Sequence, residues 1–228
     1  MYTSNEYLKN NPSWHVEDSP LKAKQILKII NNNKLQPTSV CEIGCGAGEI
    51  FRQLLINSSE KISFCGYEIS ADAFELCKPR KTDRLDFKLA NLLEDTSAYY
   101  DIVMAIDVIE HVEDYFGFLR LLKERGNYKI FHIPLDMTVL HVLRMSSILR
   151  YRKHAGHIHY FSKDTALETL KDTGYEIIDH FYTLDLLEQP SKSLKSRLMR
   201  FPRKIGFKAN KNLTARILGG FSLMVLAR

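Results

Sequence analysis

The stretch Val40-Cys41-Glu42-Ile43-Gly44-Cys45-Gly46-Ala47-Gly48-Glu49 decides the fold. It ends an apolar run with an acid, then sets three glycines at alternate positions two residues further on. Without a Cβ, such residues let the backbone take positive φ, approach a ligand closely and pass from strand to helix within a few residues. The stretch therefore reads as a strand, a nucleotide-binding turn and the start of a helix. A lone glycine-rich turn is weak evidence, so the flanking chain has to carry the rest.

Upstream, apolar Leu21, Ile26, Leu27, Ile29 and Ile30 predict a leading helix over 20–30, with Ser19 as its N-cap and Pro20 at its first position. Ser39 to Ile43 is the first strand and Glu49 to Ile56 the helix opened by the turn. Downstream, strand and helix alternate: strands at 62–68, 85–90, 100–106, 128–133, 175–182 and 220–227, and helices at 71–77, 115–124 and 163–173. This order implies a Rossmann-like α/β domain, a mostly parallel sheet with helices on both faces. Right-handed crossovers bring every parallel strand's C-terminal end to one edge, where ligands bind. Glu42 to Gly48, Glu68, Asn91 and Asp107 to His111 each follow a different strand, so four signals converge on one crevice.

Length and composition agree with one domain. The 228 residues are 45% hydrophobic, without internal repeats or low-complexity segments, and suffice for one sizeable core with insertions. No run reaches the roughly 18 apolar residues of a membrane span, and the start lacks a basic leader with an apolar core, so the expected location is cytoplasmic. Cys41, Cys45, Cys65 and Cys77 lack Cys-x-x-Cys spacing and read as reduced thiols. The net charge of +5 hides an asymmetry: residues 189–228 hold ten Lys or Arg and no acid, leaving a net −5 on the rest. That basic end must face solvent, an anionic surface or an anionic ligand.

The order of motifs resembles the class I S-adenosylmethionine-dependent methyltransferases over about Pro20 to Tyr182 plus the final strand. The resemblance implies a seven-stranded sheet with an antiparallel last strand, S-adenosylmethionine as cofactor and a methyltransferase activity. Glu42, Gly44, Gly46 and Gly48 match the turn that meets the cofactor's methionine portion. Glu68, in Gly66-Tyr-Glu68-Ile-Ser, matches the strand-end carboxylate that accepts from both ribose hydroxyls, as an acceptor-only group can. Asn91 falls where that family holds Asp or Asn beside the adenine, and Asp107, which follows the fourth strand at the methyl-transfer site, is the last of the residues the resemblance implies as cofactor-binding. A nicotinamide-binding domain also offers a glycine turn and a ribose acid about 20 residues on. Glu42, the Asp107-Val-Ile-Glu110-His111 cluster and a last strand after a long connection count against it. Tyr7, Trp14, His15 and Lys22 precede the first motif, in a segment (1–33) that this family often folds over the cofactor.

Methyl transfer from a sulfonium is an in-line displacement, so the protein has to align two partners and remove the acceptor's proton. A hydroxyl acceptor needs His, a carboxylate or a metal. Glu110 and His111 stand beyond the fourth strand, and His154, His157 and His159 precede the next helix, which makes His111, His157 and Glu110 the candidate catalytic groups. The pairing resembles ubiquinone-pathway O-methyltransferases and small-RNA terminal 2′-O-methyltransferases, where a Glu-x-x-Glu-His cluster and a later His can hold a divalent metal. That implies Asp107, Glu110, His111 and His157 as an optional ligand set, with Asp107 in place of the first Glu.

Two inserts interrupt the alternation. Residues 135–160 predict one amphipathic lid helix with a basic end, and 188–216 interleave Leu194, Leu198, Phe201, Ile205 and Phe207 with nine Lys or Arg. Such a pattern suits a solvated face or an anionic bilayer surface, and points to a small-molecule, glycan or lipid-linked acceptor. The few aromatics and the absence of an RNA-binding module speak against nucleic acid, though an RNA methyltransferase and a non-catalytic cofactor-binding partner or sensor stay open.

Overall fold

The central sheet has seven strands: β1 (Ser39–Ile43), β2 (Ser63–Glu68), β3 (Leu85–Leu89), β4 (Tyr100–Ile106), β5 (Gly126–Pro134), β6 (Ile177–Thr183) and β7 (Ser222–Ala227). Their order is β3-β2-β1-β4-β5-β7-β6. The first five strands pair in parallel, and β7 runs antiparallel to both β5 and β6. The computed structural model describes residues 13–14, 16–184 and 194–228. Tyr7, His15, residues 188–193 and the side chains at 194–196 lie outside that description.

Alternation along each strand explains the two-sided core. In β4, Val103 and Ala105 join one cluster while Ile102, Met104 and Ile106 join the other. The first cluster is closed by α4 (Tyr115–Lys123) and α7 (Lys163–Asp172) through Leu119, Leu122 and Leu170. The second is closed by α1 (Ser19–Asn32) and α2 (Glu49–Asn57) through Ile26, Ile29, Phe51 and Leu54. The short α3 (Ala71–Cys77) follows β2, its N-cap Ser70 accepting from Ala73 N.

Two local expectations need correction. Ser19 is the first helical residue of α1, and the N-cap is Asp18, whose side chain makes no cap hydrogen bond. The lid is two helices, α5 (Val139–Arg144) and α6 (Ser146–His154), because Met145 takes φ +35° between them. Apolar spacing runs across Met145 without interruption, so periodicity alone carries no sign of the break. The basic insert also forms two helices, α8 (Leu194–Ala209) and α9 (Lys211–Leu218).

Candidate active site

A cavity of about 400 Å³ opens at the C-terminal edge, between the glycine turn, the ends of β2, β4 and β5, and the segment after α6. Gly44, Gly46 and Gly48 all have positive φ, as the sharp turn from β1 into α2 requires. A Cβ on Gly46 would lie 2.7 Å from Trp14 Cδ1, so the indole covers the turn and lines the cavity. Gly48 does different work: it is the N-cap of α2, and a Cβ there would lie 2.5 Å from Phe87 Cζ. It is absent from the cavity lining, so its small size serves packing of helix on sheet.

Glu42 is buried and lines the cavity, and its Oε2 has no hydrogen-bond partner. Burial pushes its carboxyl up to about 8, with Lys22 opposing and Glu68 and Asp107 adding to the rise. Glu68 accepts from Ile69 N and Ser70 N at Oε1 and from Gly46 N at Oε2, each at 2.8 Å. Burial raises its pKa against these three donors. With about four acceptor positions on a carboxylate, one remains for a ribose hydroxyl unless Gly46 N is released. Asn91 accepts from Leu93 N at 3.1 Å and donates to Glu94 Oε1 at 3.0 Å. It caps a 3-10 turn and stands outside the cavity lining.

Asp107, at φ +54°, sits where β4 ends. Lys22 Nζ reaches its Oδ2 at 2.6 Å, and His132 Nδ1 reaches its Oδ1 at 2.5 Å. His132 Nε2 lies 2.9 Å from Thr183 Oγ1, so the ends of β4, β5 and β6 are tied together. Burial alone would raise the Asp107 pKa, but His132 and Lys22 outweigh it and hold the carboxyl far below the usual range.

The next turn, Ile109–His111, carries Glu110 and His111, two of the candidate catalytic groups. Its Glu110 carbonyl accepts from Ile158 N at 2.8 Å and His159 N at 3.1 Å, which brings the segment after α6 over the turn. The His111 and His157 rings are thereby 4.9 Å apart. His111 Nδ1 donates to the Gly156 carbonyl at 3.0 Å and His157 Nδ1 to Asp136 Oδ2 at 2.6 Å. In the neutral form of either ring the lone pair is then on Nε2. Burial, the largest influence on His111, brings its pKa down to about 4. Glu110 is fully buried, neither carboxylate oxygen has a hydrogen-bond partner, and burial followed by Asp107 pushes its pKa well up.

Glu110, His111 and His157 can each offer one ligand atom, all within 4.8 Å of one another. Asp107, expected as a fourth ligand, stands outside that group with its oxygens on Lys22 and His132. Sequence reasoning missed His132 and Asp136, although both follow the strand-edge rule at the end of β5. His154 and His159 are not in the cavity lining.

A family model described as a methyltransferase domain matches residues 16–180. The chain therefore belongs to the methyltransferase-domain family. The fold recurs in magnesium protoporphyrin IX methyltransferase from Synechocystis PCC 6803 with bound S-adenosylhomocysteine (TM-score 0.61, 16% identity, 92% of this chain and 83% of that one). It recurs in a putative sarcosine dimethylglycine methyltransferase from Galdieria sulphuraria (TM-score 0.63, 16% identity, 91% and 84%). A mycolic acid cyclopropane synthase complexed with S-adenosylhomocysteine and CTAB is similar too (TM-score 0.61, 15% identity, 91% and 84%). No curated protein sequence matches the chain. The protein is a class I S-adenosylmethionine-dependent methyltransferase. Its cavity fits that cofactor: Glu42 lines it and presents a buried carboxyl oxygen without a hydrogen-bond partner.

Proposed function

We propose that the enzyme methylates an oxygen of a small-molecule, glycan or lipid-linked acceptor, with His157 as general base. The observation that carries this reading is the His157–Asp136 hydrogen bond of 2.6 Å beside the partly buried, neutral His111. S-adenosylmethionine supplies an activated methyl group on a sulfonium. Glu42 and Asp107 would offer carboxylates to its ammonium group, Lys22 a cation to its carboxylate, and Glu68 an acceptor to a ribose hydroxyl. At the reacting end, His157 Nε2 takes the acceptor's hydroxyl proton while Asp136 fixes the tautomer and steadies the imidazolium. When bound, the sulfonium would supply the methyl group that this oxygen takes up, with S-adenosylhomocysteine as the leaving product. His111, held by Gly156, and Glu110, whose carboxyl burial pushes well above the usual range, position the acceptor. Transfer of labelled methyl to a cell extract, fractionated into lipid, glycan, RNA and protein, tests the acceptor class; label confined to RNA or protein would overturn it.

A second reading is favoured by the two unpartnered Glu110 oxygens beside two imidazoles whose Nδ1 atoms are fixed by outer acceptors. Glu110, His111 and His157 would hold a divalent metal, which supplies Lewis-acid activation of an acceptor oxygen. The basic insert supports peripheral contact with an anionic membrane face, where a lipid-linked acceptor would be met.

A further inference from the structure

The insert helices dock by one face and leave a second apolar face in solvent. Helix α8 is pinned inward by Arg203, whose Nε donates to the Gly219 carbonyl at 2.8 Å and whose Nη2 donates to the Leu218 carbonyl at 3.1 Å. Phe207 stacks on Phe221 with centroids 5.1 Å apart, and Gly206 lies against Thr214 of α9. The stripe Leu198, Phe201 and Ile205, spaced three and four apart on one side of α8, is 75%, 71% and 54% exposed. Core packing therefore does not account for these residues. Leu213 and Ile217 on α9 are exposed as well, and α9 packs against α5, where Val142 and Leu143 are exposed in turn.

Exposed positive charge accompanies these helices. Residues 137–163 and 189–228 contain no Asp or Glu. Lys204, Lys208 and Lys211 are exposed along α8 and α9, and Arg150, Arg152 and Lys153 are exposed at the end of α6. The residues just after α6, Ala155 and His157, line the cofactor cavity.

We propose that α5, α6, α8 and α9 together form a docking face for an anionic lipid bilayer, with the Leu198–Phe201–Ile205 stripe at the acyl boundary and the surrounding cations at the headgroups. This rests on the peripheral-contact reading above and extends it from one segment to a composite surface of two helix pairs. A bilayer uses both halves of the pattern, since acyl chains take the aliphatic stripe and anionic headgroups the cations. A nucleic acid uses the cations but gains little from exposed Leu and Ile, because its bases want stacking aromatics.

The test is co-sedimentation of the full chain with phosphatidylcholine vesicles, with and without phosphatidylglycerol, at low and high salt. Binding is expected only with phosphatidylglycerol and should fall as salt rises. Lys204→Glu/Lys208→Glu should weaken binding roughly tenfold or more, as loss and reversal of two near-surface cations implies. Leu198→Ser/Phe201→Ser/Ile205→Ser should weaken it by a similar factor and, being exposed, leave the unfolding temperature unchanged. Equal binding to both vesicle types, or an unchanged triple variant, would overturn the proposal. So would a stripe-dependent dimer by sedimentation velocity, or retention of RNA in place of vesicles. Calorimetric binding of S-adenosylhomocysteine to the same samples keeps this outcome separate from any failure of the methyl-transfer reading.

Discussion

Lys22 Nζ stands 2.6 Å from Asp107 Oδ2, joining the first helix to the end of the fourth strand across the cofactor cavity. Asp107 already has His132 as a second partner, so it stays ionised when Lys22 turns toward a ligand. Glu42 lies close enough for Lys22 to oppose the rise in its pKa. The pocket thus sets two acids around one cation, a pattern complementary to a zwitterionic amino acid moiety. Lys22→Met should weaken S-adenosylhomocysteine binding by roughly 10- to 100-fold, the range of a hydrogen bond to a charged group at about 1.5–3 kcal/mol. Lys22→Arg should recover part of it. Titration calorimetry decides, and unchanged affinity in Lys22→Met would remove the residue from carboxylate binding.

With Glu42 as the proposed partner of the cofactor's ammonium group, binding of the cofactor should be a proton-linked event. The Glu42 carboxyl, pushed up to about 8 by burial, is mostly protonated at pH 7 in the free enzyme, and an ammonium group delivered beside it favours the ionised form. Binding should then release close to one proton at pH 7, read from calorimetry in buffers of different ionisation enthalpy. Affinity should rise with pH up to about 8. Stability of the free enzyme should move the other way. Between the ordinary 4.5 and about 8 the folded state holds a proton that the unfolded chain has lost, so the Glu42 contribution declines as pH rises through that window. Glu42→Gln should flatten both dependences and weaken cofactor binding.

Much of this site was legible before the structure, because period-2 alternation and strand-edge placement are local signals. Ser39–Ile43 and Tyr100–Ile106 form strands with the bounds that the apolar runs predict, Glu42 and Glu110 follow from their positions relative to those strands, and Glu68 stands at the end of β2. What was not legible depends on contacts between distant segments. The Lys22–Asp107 and Asp136–His157 pairs span 85 and 21 residues, and no spacing rule connects them. Asn91 shows the converse: strand-edge placement alone cannot tell a ligand-facing Asn from one whose side chain caps the following turn.

The only tryptophan in the chain offers a direct readout of the pocket. Trp14 covers Gly46 and lines the cavity, so filling that cavity should change its emission saturably, and Trp14→Phe should abolish the signal. Gly46→Ala combines φ +55° with a contact of 2.7 Å to the indole. The left-handed backbone alone costs about 1–2 kcal/mol for a residue with a Cβ, so a lower unfolding temperature and weaker binding are both expected. An emission spectrum indifferent to saturating S-adenosylhomocysteine would place Trp14 outside the binding event.

His157 and Asp136 separate base catalysis from metal catalysis. As general base, His157 should contribute about 10²- to 10⁴-fold to turnover, so His157→Ala should lose activity on that scale while S-adenosylhomocysteine affinity persists. Asp136→Asn should lose less, because it removes only the carboxylate that steadies His157 Nδ1. His111→Ala should act through the KM for acceptor more than through kcat, since burial keeps that ring neutral and a weak base. Glu110→Gln preserves the hydrogen-bonding capacity of a protonated carboxyl and should be the mildest change if no metal is present. Exhaustive chelation should leave turnover of the wild-type enzyme intact. Activity lost on chelation and restored by a divalent ion, together with a severe Glu110→Gln defect and stoichiometric metal by elemental analysis, would transfer the role from His157 as base to Glu110, His111 and His157 as ligands.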